Sequence, residues 1–167
     1  DVVGASGLVQ ELELIQLYDR VFSDLGLMGV SVKVNHRKVL SGIAEVIGAG
    51  DRLTDFTVAL DKLDKIGREK VESEMRQKGI TEAAIGLAAP LFEMQGTARE
   101  QLGALRAMLD PSPIGLEGGS DLEELLAETE TLGLLATSCQ LDVTLARGLN
   151  YYTGAIFEVA APAEARM

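Results

Sequence analysis

Val9, Leu12, Leu14, Ile15, Tyr18, Phe22 and Leu25 recur at helical spacing near the start of the chain, which predicts an amphipathic helix. Gly26 is placed to end it as a C-cap. In GVSVKVN the period changes: Val30, Val32 and Val34 alternate with Ser31 and Lys33, the pattern of a strand buried on one face. Asn35 stands where it would cap a second helix through HRKVLSGIAEVIGAG. With Asp1, Val2 and Val3 read as a further strand, the opening is strand, helix, strand, helix.

From Asp51 to Leu109 the alternation is absent. Leu53, Phe56, Leu60 and Leu63 share one face of DRLTDFTVALDKLDKIG, and REKVESEMRQKG reads as a charged helix closed by Gly79. Thr81 caps TEAAIGLAAPLFEM, which Pro90 is expected to kink or split, and TAREQLGALRAML follows. DPSPIGLEGGS, rich in Pro and Gly, reads as a connector. Ser120 with Glu123 reads as a capping box opening a helix striped by Leu122, Leu125, Leu126 and Leu132. Leu141, Val143 and Leu145 then alternate with Gln140, Asp142 and Thr144, and AIFEVAA follows RGLNYYTG. Two strands joined by a Gly-containing bend predict an antiparallel pair. The expected fold is α+β: a sheet with flanking helices, interrupted by an all-helical insertion. The expected divisions are residues 1–52 and 119–167 for the core and residues 53–118 for the insertion.

Composition narrows this picture. The 167 residues are 47% hydrophobic and 25% charged, the composition of one globular domain or a core with a small appendage. Trp is absent and aromatics are few, so the core must be built from Leu, Val, Ile and Ala. A net charge of −11 repels phosphate backbones at long range, which argues against non-specific nucleic-acid binding while leaving room for a local basic patch. The single cysteine, Cys139, excludes an internal disulfide, and with one histidine it argues against a structural zinc site. A reducing, cytosolic setting fits. DVVGASGLVQ lacks a basic n-region and an apolar core, and AAIGLAAPLF is too short to span a bilayer. A chain that opens inside a strand pattern without Met is expected to be part of something longer.

The candidate chemistry lies in LARGLNYYTGAIFEV. Arg147 at a strand end could bind a carboxylate or phosphate bidentately, or could pair with Asp142 or Glu158 and only fix the hairpin. Tyr151 and Tyr152, if on a strand, point to opposite faces, one to the core and one to a pocket. Gly148 and Gly154 serve the bend or a close approach of backbone to ligand. His36 is expected to be exposed at a helix start, and Cys139 to be a small buried residue. The pairs Asp61/Asp64 and Glu123/Glu124 fall on exposed helix faces with no pocket to recommend them. Lys62, Lys65 and Arg68, with Lys70, Arg76 and Lys78 near, are diluted by Asp64, Glu69, Glu72 and Glu74. That is a solvated helix laced with ion pairs, or more sharply an RNA-facing edge. Neither GASG nor GLEGGS matches a phosphate-loop or dinucleotide fingerprint.

LARGLNYYTGAIFEV resembles the histidine-specific signature of histidyl-tRNA synthetases, in which Arg-Gly-Leu-Asp-Tyr-Tyr-Thr-Gly precedes an apolar strand with a glutamate. VKVNHRKVLSGI and ALDKLDKIG look like the eukaryotic and related bacterial branch of that family, and DVVG resembles the end of the strand after motif 2. The resemblance covers essentially the whole chain, most weakly from Thr81 to Gly119. It implies a class II catalytic sheet and a histidine–tRNA ligase that uses ATP and Mg2+ to form histidyl-adenylate before transfer to tRNA(His). It also implies a helical insertion, residues 53–118, that approaches the tRNA acceptor stem, in a cytoplasmic homodimer with no membrane partner. By resemblance Arg147 contacts the α-phosphate, Tyr151 and Tyr152 belong to the histidine pocket, and Asp1 faces the imidazole. Asn150 stands where many members carry Asp, which puts a salt-bridge role there in doubt. Motif 1, the ATP-binding arginine of motif 2, motif 3 and the anticodon-binding domain have no counterpart in this sequence, so the chain alone is expected to be inactive, with no tightly bound cofactor. The rival reading is a non-catalytic synthetase-like regulatory or sensing domain that binds histidine or tRNA. Regulatory paralogues are expected to lack the insertion.

Overall fold

The alternation in GVSVKVN produces strand β1, Val30–His36, with Val30, Val32 and Val34 buried. In the computed structural model, which describes residues 7–147 and 151–162, β1 is the central strand of three. Strand β2, Thr137–Leu141, runs parallel to it, with Val30 opposite Thr137 and Val34 opposite Leu141. Strand β3, Ala155–Ala160, runs antiparallel on the other edge, with Lys33 opposite Glu158 and His36 opposite Ala155. The α+β expectation holds, but the expected antiparallel pairing of the two C-terminal runs does not: β1 lies between them. A parallel pair needs a long crossover, and the helices between β1 and β2 provide it. The alternation of Leu141, Val143 and Leu145 also misleads past Leu141, because Val143 and Leu145 are buried in a turn and not in a ladder. The strand expected at Asp1–Val3 lies outside the described residues.

The helices are α1 (Val9–Asp24), α2 (Arg37–Val46), α3 (Leu53–Leu60), α4 (Leu63–Ile66), α5 (Arg68–Gln77), α6 (Glu82–Phe92), α7 (Ala98–Leu109) and α8 (Pro113–Thr131). Gly26 and Gly79 take positive φ after α1 and α5 as expected of closing glycines. Thr81 accepts from Ala84 N–H to cap α6, and Pro90 stays inside that helix without ending it. Thr97 and Glu100 form a full capping box on α7. His36, not Asn35, caps α2: its Nδ1 accepts from Lys38 N–H at 3.2 Å.

Of the expected connector DPSPIGLEGGS, only Asp110 to Ser112 link α7 to α8; from Pro113 on it is the first part of α8. Ser112 is its N-cap, accepting from Gly115 N–H at 3.2 Å while its hydroxyl donates to Glu45. Ser120 lies within the helix and donates to Leu116 O at 3.1 Å, so no capping box forms there. Residue 118, the expected end of the helical insertion, likewise falls inside α8. The glycines are there for proximity. A Cβ on Gly42 of α2 would lie 2.4 Å from the Cα of Gly115, and one on Gly118 would lie 2.8 Å from Val39 N. Such distances leave no room for a side chain, so α2 and α8 touch backbone to backbone, with Leu122 and Leu125 continuing the buried face.

Asp19 ties α1 to the start of β2. Its Oδ1 accepts from Leu135 N (3.0 Å), Ala136 N (2.8 Å), Thr137 N (2.8 Å) and Thr137 Oγ1 (3.0 Å). Burial pushes this carboxyl up, but the N–H donors of Leu135, Thr137 and Ala136 together with the Thr137 hydroxyl outweigh it, so its pKa lies below the usual carboxylate range.

Three substitutions measure these contacts. Gly42→Ala should lose about 2–3 kcal/mol in urea unfolding, because a Cβ meets backbone that cannot move aside. Gly86→Ala, at an open position within α6, should instead gain up to about 1 kcal/mol from helix propensity. Asp19→Ala should cost about 2 kcal/mol at neutral pH, the worth of hydrogen bonds to a charged acceptor. Since the folded pKa is depressed, that contribution is complete above the unfolded value of about 3.9 and fades as pH falls through the folded one. The gap between wild type and variant should therefore narrow in acid.

Candidate functional site

The loop after β2 is shaped by side-chain hydrogen bonds before any catalytic residue is reached. Asp142 N–H continues the pairing to Val34 O, and its Oδ1 accepts from Thr144 N–H (3.0 Å) and Thr144 Oγ1 (2.7 Å), closing a local turn. Asn35, wholly buried, donates through Nδ2 to Val143 O (3.1 Å) and Leu145 O (2.9 Å), while its Oδ1 accepts from His36 N–H. Ala146 N–H donates to Asp61 Oδ1 at 3.4 Å. The chain then reaches Arg147 from a loop held by β1 on one side and by the end of α3 on the other.

Arg147 is half-exposed and pairs through Nε with Glu158 of β3 and, at 3.9 Å, with Asp61. Of the two partners the sequence offered, Glu158 is the one used. Asp142 turns instead to Lys33, which it accepts from at 2.7 Å; Lys33 also reaches Asp64 at 3.4 Å. These groups, with Lys65, line a cleft of about 140 Å³ holding three cations and four carboxylates. Burial pulls the Lys33 ammonium down, but Asp142 and Asp64 outweigh it and hold its pKa above the usual value. Burial pushes Asp142 up, and Lys33 with the Thr144 donors outweighs that, leaving it below the usual range. Both are therefore charged at neutral pH. Asp61 and Asp64, expected on exposed faces without a pocket, are cleft residues.

Tyr151 and Tyr152 precede β3 and are not on a strand, so they do not point to opposite faces; their rings meet edge to face at 5.4 Å and 85°. Tyr152 is half-buried against the core, whereas Tyr151 is 65% exposed. Asp1, Gly148 and Asn150 lie outside the described residues. Thus Arg147 sits with the cleft carboxylates, whereas neither tyrosine lines that cleft; the two pack on each other just before β3 in sequence.

His36 departs from its expected exposure and is only 3% exposed. With Nδ1 accepting at the cap, Nε2 faces Asp121 Oδ2 at 3.4 Å. Burial lowers its pKa more than Asp121 raises it. Both nitrogens are engaged structurally. The signal was present in the sequence, since His36 continues the phase of Val30, Val32 and Val34. Cys139 on β2 is largely buried, which pushes its thiol up to about 11, and no nucleophile results. Much of the basic row is paired as its composition implies: Lys62 with Glu74, Arg68 with Glu72 and Glu93, Arg76 with Glu72 and Glu82, Lys78 with Glu74. Among the described residues there is no cluster of His, Cys, Asp or Glu able to hold a metal, and no helix long and apolar enough to cross a membrane. Sequence reasoning missed Asn35 as the loop's anchor, having assigned it to a helix cap.

The family model described as histidyl-tRNA synthetase matches residues 1–166. The histidine–tRNA ligase of Flavobacterium johnsoniae is 57% identical over 162 residues, covering 97% of this chain and 34% of its own length. The chain therefore spans about a third of the length of that curated relative. The solved histidyl-tRNA synthetase of Nostoc superposes with a TM-score of 0.84 at 25% identity, over 94% of this chain and 37% of that one. A Bacillus halodurans structure titled as an ATP phosphoribosyltransferase regulatory subunit/histidyl-tRNA synthetase superposes with a TM-score of 0.79 at 18% identity. It covers 99% of this chain and 42% of that one, and at this identity it speaks to the fold alone. Because that likeness runs through the helical segment as well, the segment does not separate a synthetase from a protein with a regulatory title.

The anchoring role of Asn35 is open to test. Asn35→Leu should cost about 3 kcal/mol in urea unfolding, since it strands the carbonyls of Val143 and Leu145 in a buried site. A loss below about 0.5 kcal/mol, the range of ordinary surface changes, would show that these bonds do not hold the loop.

Proposed function

The chain belongs to the histidyl-tRNA synthetase family, and from that premise we propose that it is the central catalytic part of a longer histidine–tRNA ligase. The observation that carries this is the 57% identity to a curated ligase along 97% of the chain. In the proposed reaction the histidine carboxylate attacks the α-phosphorus of ATP and pyrophosphate leaves. The histidyl group of the resulting adenylate then passes to tRNA(His).

Arg147 is the residue we assign to the α-phosphate. Attack builds negative charge on the phosphoryl oxygens, and a guanidinium already fixed stabilises it without reorganising. Among the described residues, the ion pairs of Arg147 with Glu158 and Asp61 run through Nε. With four carboxylates to three cations, the cleft is not an anion site by net charge. We therefore propose that Mg2+ enters with the ATP phosphates and offsets their charge.

Tyr152, with Tyr151 edge-on beside it, is assigned to the histidine pocket, where a phenol can hydrogen-bond an imidazole nitrogen. Asp1 is assigned to the opposite side of the ring. A site that hydrogen-bonds a ring N–H rejects analogues lacking it far more strongly than an apolar pocket does. Asn150 in place of the more usual Asp keeps an acceptor and loses the charge.

The division into residues 1–52, 53–118 and 119–167, with the helical part facing the tRNA acceptor stem, belongs to the same proposal. So do a cytoplasmic homodimer and the eukaryotic-like branch; the branch rests on VKVNHRKVLSGI and ALDKLDKIG, while the relatives given above are bacterial. The second reading, a regulatory or sensing domain, draws on the shared fold of the Bacillus halodurans protein.

Histidine-dependent ATP–pyrophosphate exchange decides between them. The longer ligase should exchange, and the isolated chain, about a third of a ligase, should be silent. Arg147→Ala should lower exchange about a hundred- to a thousandfold. Tyr152→Phe should raise the histidine KM about tenfold, the worth of one hydrogen bond. Wild-type exchange from Arg147→Ala would remove the phosphate role, and histidine binding by a longer protein that never exchanges would favour the sensing reading.

A further inference from the structure

We propose that Asp61 is a positioning residue for Arg147, so that the helical segment as well as the sheet sets the geometry of the activation site. This rests on the phosphate role assigned to Arg147 above. Asp61 follows the last residue of α3, 85 positions before Ala146 in sequence. One of its oxygens, Oδ1, accepts from Ala146 N–H at 3.4 Å and lies 3.9 Å from Arg147 Nε. The same atom thus accepts from the main chain just before the arginine and lies within ion-pair distance of the root of its guanidinium.

The other restraints on this loop come from the sheet. Asn35 grips the carbonyls of Val143 and Leu145, and Glu158 pairs with Arg147. Neither reaches the N–H of Ala146, a buried residue whose donor needs an acceptor. Asp61 provides it from outside the sheet. Asp64 makes a second tie, 3.4 Å from Lys33, which is itself bound to Asp142 at the root of the loop. A guanidinium on a long side chain is a precise electrostatic tool only if its base is fixed, and a displacement of about 1 Å can cost about a hundredfold in rate. The Asp61 side chain is 25% exposed, and Asp61→Asn keeps its volume, which separates loss of the restraint from loss of packing.

The test compares Asp61→Ala, Asp61→Asn and Arg147→Ala in the longer ligase by histidine-dependent ATP–pyrophosphate exchange, with thermal melts alongside. Asp61→Ala should lower kcat about ten- to a hundredfold with the histidine KM unchanged, since the loss falls on the transition state. Asp61→Asn, which keeps a carbonyl acceptor for Ala146, should restore most of the rate. The proposal is overturned if Asp61→Ala exchanges at the wild-type rate, if Asp61→Asn is as slow as Asp61→Ala, or if the rate falls only in step with loss of folded protein. In each of those cases a large Arg147→Ala defect leaves the phosphate role standing, whereas an inert Arg147→Ala removes that role itself.

Discussion

Everything in this structure is arranged around a strand whose hydrogen-bonding partners arrive more than a hundred residues later. Asn35 binds the carbonyl of Val143, 108 positions on, and β1 is paired on both edges by segments from the far end of the chain. Closing so long a loop is entropically costly, and the intervening helices must bring the chain back to within one strand spacing. The contact that does this is the crossing of α2 and α8. Gly42 and Gly115 let the two helices meet at backbone distance, and α2 leaves directly from the end of β1. Asp19 completes the return by collecting the N–H groups of Leu135, Ala136 and Thr137 as β2 begins.

The same geometry creates the cleft. Because β2 is parallel to β1, it ends beside Asn35, and the chain must turn there to reach β3 on the opposite edge. That turn carries Arg147. Its surroundings are rich in carboxylates for a residue that we propose meets phosphate, but they play separate parts. Asp142 is bound to Lys33, Glu158 anchors Arg147 Nε, and Asp61 serves the main chain. Ion pairs that would be worth little on an open surface matter here as restraints on position.

Legibility in the sequence divides along physical lines. The helix through Val9–Asp24, the strand through Val30–His36, the cap at Thr81 and the closing glycines all depend on interactions within a few residues, and they are readable from spacing. The signature LARGLNYYTGAIFEV is equally legible because its resemblance is long and specific. The misreadings share one cause. DPSPIGLEGGS has the composition of a loop, yet its glycines answer a helix some seventy positions away. Asn35 and His36 have the composition of an exposed helix start, yet each is buried by a loop or helix that folds over it from the far end of the chain.

By itself the sequence determined the local elements, the α+β class and the family to which the chain belongs, because hydrophobic period, capping chemistry and a fifteen-residue signature are properties of contiguous residues. Only the tertiary structure decided that β1 separates the two C-terminal runs, that Arg147 pairs with Glu158 and not Asp142, and that Asp61 of the helical segment reaches the arginine's loop. The reason is physical. A side chain's hydrogen-bonding needs can be listed from its identity, but which of several eligible partners meets them is set by which backbones are brought within about 3 Å, and that is fixed by packing across the whole chain.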